Sequence, residues 1–125
     1  MTRYKSQGFN NTFKNARKGF NLAVKSEINI RVHSVIAIFV ILTAFYLKFS
    51  ITEFCILLFM IALVICTEML NTAIEFGLDS IYHNKYSKMV GMAKDISAGA
   101  VMFASFISIV VGLLLFGTKI YTLIA

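Results

Sequence analysis

The chain has 125 residues, room for one domain and not two. Its hydrophobic fraction of 58% and mean hydropathy of +0.79 exceed what a soluble domain of this size can bury, so lipid must take up the apolar surface. The net charge of +6 is compatible with nucleic acid or with an anionic membrane surface, and the hydropathy decides for the membrane and against nucleic acid.

Residues 1–7 are polar. From Phe9 to about Ile30, Phe9, Phe13, Ala16, Phe20, Ala23 and Val24 recur at three- and four-residue steps, while Lys14, Arg17, Lys18 and Lys25 fill other faces. This is the periodicity of a basic amphipathic helix lying in the membrane interface. Three apolar runs follow, at about 32–49, 51–78 and 96–124, each near the ~20 residues that cross ~30 Å of hydrocarbon. The tight turn at Lys48–Ser50 predicts an antiparallel hairpin of the first two spans, and residues 80–91 form a polar loop before the third. Proline is absent, so nothing in the sequence interrupts long helices. Cys55 and Cys66 share one apolar run without metal or disulfide spacing.

Charge sets the expected orientation. Seven of the twelve basic residues precede the first span, three (Lys85, Lys88, Lys94) lie between the second and third, and Lys48 and Lys119 remain for the opposite side. An excess of Lys and Arg marks the cytoplasmic side, so the N-terminus and the second loop are expected to face the cytoplasm.

The acidic residues carry the chemistry. Of Glu27, Glu53, Glu68, Glu75, Asp79 and Asp95, all but Glu53 fall near the predicted cytoplasmic ends of helices. Glu68, Asn71, Thr72, Glu75 and Asp79 stand at i, i+3, i+4, i+7 and i+11, one face of the second span. A polar stripe running from the aqueous side into lipid suits a water-soluble reagent meeting a lipid one. Asn71 or Thr72 alone would serve as glue between helices, but three carboxylates on one face repel one another unless a cation offsets them. Lys94 offers one such cation, and clustered carboxylate oxygens suit Mg²⁺ holding nucleotide phosphates. No glycine-rich phosphate loop is present, so an ATP site here would rest on carboxylates, metal and lysines.

At these residues the chain resembles the prokaryotic diacylglycerol kinase family, which includes undecaprenol kinases. The resemblance rests on Glu68-x-x-Asn71-Thr72-Ala73-x-Glu75-x-x-x-Asp79, on Ala93-Lys94-Asp95 followed by Ala98-Gly99-Ala100-Val101, and on Glu27-x-Asn29-x-Arg31-x-His33. It covers nearly everything from Phe9 onward and implies an all-α homotrimer, with a surface helix and three spans per protomer and active sites at protomer interfaces. It implies Glu68 as the base taking the proton of a lipid hydroxyl, Glu27 and Glu75 as Mg²⁺ ligands, and Lys85, Tyr86, Ser87, Lys94 and Asp95 as further ATP contacts. Asn71, Asp79, Ala98 and Arg31 fall to lipid binding or support. The loop from Asp79 to Lys94 is one residue longer than the family pattern, which loosens the assignments at Asn84 and Lys85. The Ala98–Val101 run and the Glu27–His33 stretch look more like undecaprenol kinases than the diacylglycerol-specific branch. Two rival readings are a small multidrug-type transporter, with Glu68 as its proton or drug site, and a purely structural membrane subunit. His33 reads as an interfacial polar contact.

Overall fold

The computed structural model describes residues 8–83 and 87–125. Lys85 and Tyr86, expected to contact nucleotide, lie outside the described residues. The rest forms four helices in sequence: α1 (Phe9–Ser26), α2 (Ile28–Tyr46), α3 (Ile51–Tyr82) and α4 (Lys88–Ile124). An N-terminal helix followed by three helices long and apolar enough to span a membrane is the arrangement expected from the sequence.

α1 buries only Ala23, leaving its phenylalanine stripe free to lie on lipid. It stops at Ser26, four residues before the point set by periodicity. Glu27 is extended, at φ −118° and ψ 117°, and α2 starts immediately after it. The break separates the amphipathic α1 from α2, which becomes apolar on every face only after Ser34. Arg31 stabilises it: its Nη1 donates to the carbonyl oxygens of Val24 (2.9 Å) and Lys25 (2.7 Å), which the end of α1 leaves without helical partners.

α2 has 19 residues, about 28 Å, close to the thickness of the hydrocarbon. It ends in a double-bonded cap. The Phe49 N–H donates to Ala44 and the Lys48 N–H to Phe45, each at 3.1 Å, with Lys48 in the left-handed region at φ 59°. This is the Schellman pattern with its usual apolar contact, because Phe49 is buried in a cluster with Ala44 and Leu57. α3 then starts with a capping box: the Glu53 N–H donates to Ser50 Oγ (3.2 Å) and the Ser50 N–H to Glu53 Oε1 (2.8 Å). Residues 44–53 therefore reverse the chain with hydrogen-bonded caps on both helix ends at the turn.

α3 has 32 residues and α4 has 37, about 48 and 56 Å, so both run well past a ~30 Å core. α4 begins eight residues before the apolar run, at Lys88, because helix formation continues through the polar segment that precedes it. The buried positions are Ile30, Ala37 and Ala44 in α2 and Val90, Ser97 and Ala104 in α4, each set spaced by seven. α3 buries Leu57, Val64, Glu68 and Thr72. A seven-residue repeat gives a narrow, coiled-coil-like seam and leaves the other faces outward. Phe39, Phe59, Phe103 and Leu113 are accordingly exposed, which costs nothing in hydrocarbon. At the hairpin end, Phe49 stacks against Phe116 at 4.8 Å between centroids, and Lys119 Nζ pairs with Glu53 Oε1 at 2.9 Å, fastening α4 to the turn.

Candidate active site

The polar face of α3 is a gradient in depth. Glu68 and Thr72 are buried, whereas Asn71, Glu75 and Asp79 are half-buried. Measured along the helix from the hairpin, the first ~20 residues fill the hydrocarbon, which puts Glu68 at its edge and Glu75 and Asp79 beyond it. The stripe is thus ordered from a dry end to a wet end.

At the dry end, Glu68 is 4% exposed. The Thr72 hydroxyl donates to its backbone carbonyl at 3.0 Å, which leaves the carboxylate free. The nearest basic side chain to that carboxylate is His33 on α2, with Nε2 3.5 Å from Oε1. Glu27, at the α1–α2 junction, lies close enough for its charge to act on Glu68. The extended backbone at Glu27 therefore brings a second carboxylate to the stripe.

At the wet end, α3 and α4 are tied by side chains. Ser97 Oγ donates to Asn71 Oδ1, and Asn71 Nδ2 donates to Glu75 Oε1 at 3.2 Å. Lys94 Nζ donates to Asp79 Oδ1 at 2.7 Å and also feels the charge of Glu75. Lys94 is the cation that the sequence required to offset the stripe, and the structure places it there.

The carboxylates suit Mg²⁺ in one particular way. Among the described residues, no group of three or more His, Cys, Asp or Glu side chains converges on a metal position. Glu27 and Glu75 are half-buried and make no ion pair among the described residues. One or two hard carboxylates that leave the other positions to water and phosphate are the usual magnesium donor set. The residues fit a metal that arrives with a nucleotide, not a self-contained cage.

The remaining expected residues are more scattered. Ser87 is the N-cap of α4 without a side-chain capping bond, and Asp95 and Ala98 are exposed on α4. Arg31 is occupied by the end of α1. Two residues join the site that the sequence left out of it. Ser97 is buried against Asn71; its seven-residue spacing from Val90 and Ala104 was the available signal. His33 meets Glu68; its position between Ile30 and Ala37 on the buried face of α2 was the corresponding one.

The family model for prokaryotic diacylglycerol kinase matches residues 14–116, most of the chain and all of the stripe. The chain belongs to the prokaryotic diacylglycerol kinase family. Among its relatives, an undecaprenol kinase of Bacillus subtilis is 35% identical over 112 residues, 90% of each chain. A diacylglycerol kinase of Synechocystis is 32% identical over 101 residues, covering 81% of this chain and 58% of that longer protein. As a member of this family the protein is a multi-pass membrane lipid kinase with ATP as its co-substrate. The transporter and structural-subunit readings fall away.

Proposed function

We propose that this kinase transfers the γ-phosphoryl group of ATP to the hydroxyl of undecaprenol, with Glu68 as the base. The observation that carries the base role is a buried carboxylate at the membrane edge of a stripe whose outer end holds Glu75, Asp79 and Lys94. The relative of near-equal length is an undecaprenol kinase, which together with the Glu27–His33 and Ala98–Val101 stretches favours the polyprenol. The diacylglycerol kinase relative supports the second reading, in which the product is a phosphatidic acid.

The chemistry follows from placement. The lipid lies in the bilayer with its hydroxyl at the edge, where Glu68 Oε accepts the hydroxyl proton. The alcohol oxygen bonds to the γ-phosphorus as the bond from that phosphorus to the β–γ bridging oxygen breaks, and ADP leaves with the electron pair. Such transfers depend on positioning and on neutralising phosphate charge more than on covalent assistance. Lys94 supplies a cation on the wet side, with Asp79 aiming its ammonium. Lys85, Tyr86, Ser87 and Asp95 are the further nucleotide contacts of this reading. Glu27 and Glu75 would hold Mg²⁺, which when bound adds positive charge at the phosphates. Asn71, fixed by Ser97, orients Glu75. Arg31 holds the α1–α2 break that brings Glu27 in, and Ala98 keeps side-chain bulk away from its part of α4. The N-terminus faces the cytoplasm of the inner membrane, and the working unit is a homotrimer.

The test is phosphorylation by purified protein with labelled ATP, offering undecaprenol and diacylglycerol separately. Undecaprenol is the preferred acceptor, and Glu68→Gln lowers kcat by roughly 10²–10⁴-fold, the usual weight of a general base. Full activity of Glu68→Gln removes the base role, and preference for diacylglycerol removes the substrate assignment.

A further inference from the structure

We propose that His33 is a positioning residue for Glu68: its imidazole holds the carboxylate at the mouth of an apolar cavity, where a lipid hydroxyl comes within reach. The inference rests on the reading of Glu68 as the proton acceptor.

The geometry places one ring between two surroundings. On one side, His33 Nε2 stands 3.5 Å from Glu68 Oε1. Pairs of this kind commonly sit long until the reactants arrive and tighten them. On the other side, His33 lines the end of a cavity of about 430 Å³ between α2, α3 and α4. The walls beyond it include Ala37, Val64, Ile65, Ile109 and Phe116. The cavity therefore runs from His33, the neighbour of Glu68, towards the hairpin end, through the part of the bundle that lies in hydrocarbon.

The electrostatics give His33 a reason to be there. The Glu68 carboxylate is nearly sealed from water, and among the described residues no lysine or arginine pairs with it. Glu27, a charged group that acts on it, carries the same sign. A buried carboxylate facing a like charge is costly unless a hydrogen-bond donor faces it. An imidazole can hold it by donating from Nε2 without quenching it as a permanent cation would. The competing account is that His33 and Glu68 only glue α2 to α3, in which case the pair matters for stability and not specifically for proton acceptance.

Kinetics of the full-length enzyme in lipid micelles separates these accounts. His33→Leu removes the donor while keeping an apolar residue that a membrane helix accepts readily. It lowers kcat by roughly 10- to 100-fold, the cost of about 1 Å of misplacement, with KM for ATP unchanged. His33→Gln, which can still donate to Glu68, keeps most of the activity. In a Glu68→Gln background, His33→Leu causes no further loss, because no carboxylate remains to be held. Wild-type kcat in His33→Leu overturns the proposal, as does an equal fold-loss with and without Glu68. Should His33→Leu fail to fold, His33→Asn replaces it: its shorter amide cannot span the gap, so loss in Asn but not in Gln supports the proposal, and equal activity of the two overturns it. Full activity of Glu68→Gln alone is a separate result that removes the base reading itself.

Discussion

The side-chain amide of Asn71 is committed at both ends. Its oxygen accepts from Ser97 across the α3–α4 seam, and its nitrogen donates to Glu75 one turn along α3. An amide held this way points one donor at one carboxylate oxygen, so the direction of Glu75 is set by a serine on another helix. Ser97→Ala removes that hold and leaves the amide oxygen of the half-buried Asn71 without its partner across the seam. Hydrogen bonds between membrane helices contribute about 0.6 to 1.7 kcal/mol, so the variant loses about 1 kcal/mol of stability. Thermal unfolding in detergent measures this. The same variant is expected to raise the magnesium concentration needed for half-maximal activity, since Glu75 is the residue set loose. Unchanged magnesium dependence would separate Ser97 from the site and leave it a purely structural contact. Ser97 was hard to recognise in the sequence because nearly everything around it is small or apolar; only the paired geometry shows that its hydroxyl is used.

Elements were legible where local chemistry dictates them. The tight turn at Lys48–Ser50 was legible, and the polar face of Glu68, Asn71, Thr72, Glu75 and Asp79 is a consequence of helical pitch alone; the capping box that Ser50 and Glu53 form at the start of α3 came only with the structure. The break at Glu27 was not legible. Neither glycine nor proline marks it, Ile28 and Ile30 continue an apolar pattern, and the residue that stabilises it, Arg31, belongs to the next helix. The early start of α4 was hidden for a different reason: hydropathy reports where lipid is, not where a helix stops, and Lys88–Asp95 is helical although three of its residues are charged. The α2–α3 turn offers a test at this scale. Lys48 is an L-residue held at φ 59° in the position where glycine is favoured. Its side chain is exposed, and both of the cap's hydrogen bonds are backbone bonds that glycine keeps. Lys48→Gly relieves the left-handed strain at some cost in unfolded-chain entropy, so the net gain is about 0.5–1 kcal/mol. A raised unfolding temperature with unchanged kinase activity is the expected result, and a lowered one would mean that Lys48 is held by its side chain instead.

A single chain leaves most of its spanning surface uncovered. Within the most apolar stretch of α4 only 6% of residues are buried, against 17% in α2 and in α3. Lipid can cover that surface, but the wet end of the stripe needs something more. Glu75, Asp79 and Lys94 are half-buried and open on one side, and no third carboxylate joins any metal position within one chain among the described residues. Glu68 and Asp79 are eleven residues apart on α3, about 16 Å along the axis, so Glu68 and Lys94 stand at opposite ends of the stripe. A site that long, with one side open, is completed most simply by a neighbouring protomer, as in the homotrimer that the sequence resemblance implies. Two inactive variants test this together. Glu68→Gln and Lys94→Met, co-expressed with different tags and purified through both, form oligomers that contain no intact chain. If a site draws Glu68 from one protomer and Lys94 from the next, some sites in such an oligomer hold both native residues and phosphorylation returns. If each chain builds its site alone, every site carries one defect and the mixed oligomer is as inactive as its parents. Activity above the sum of the separately purified variants is the expected outcome.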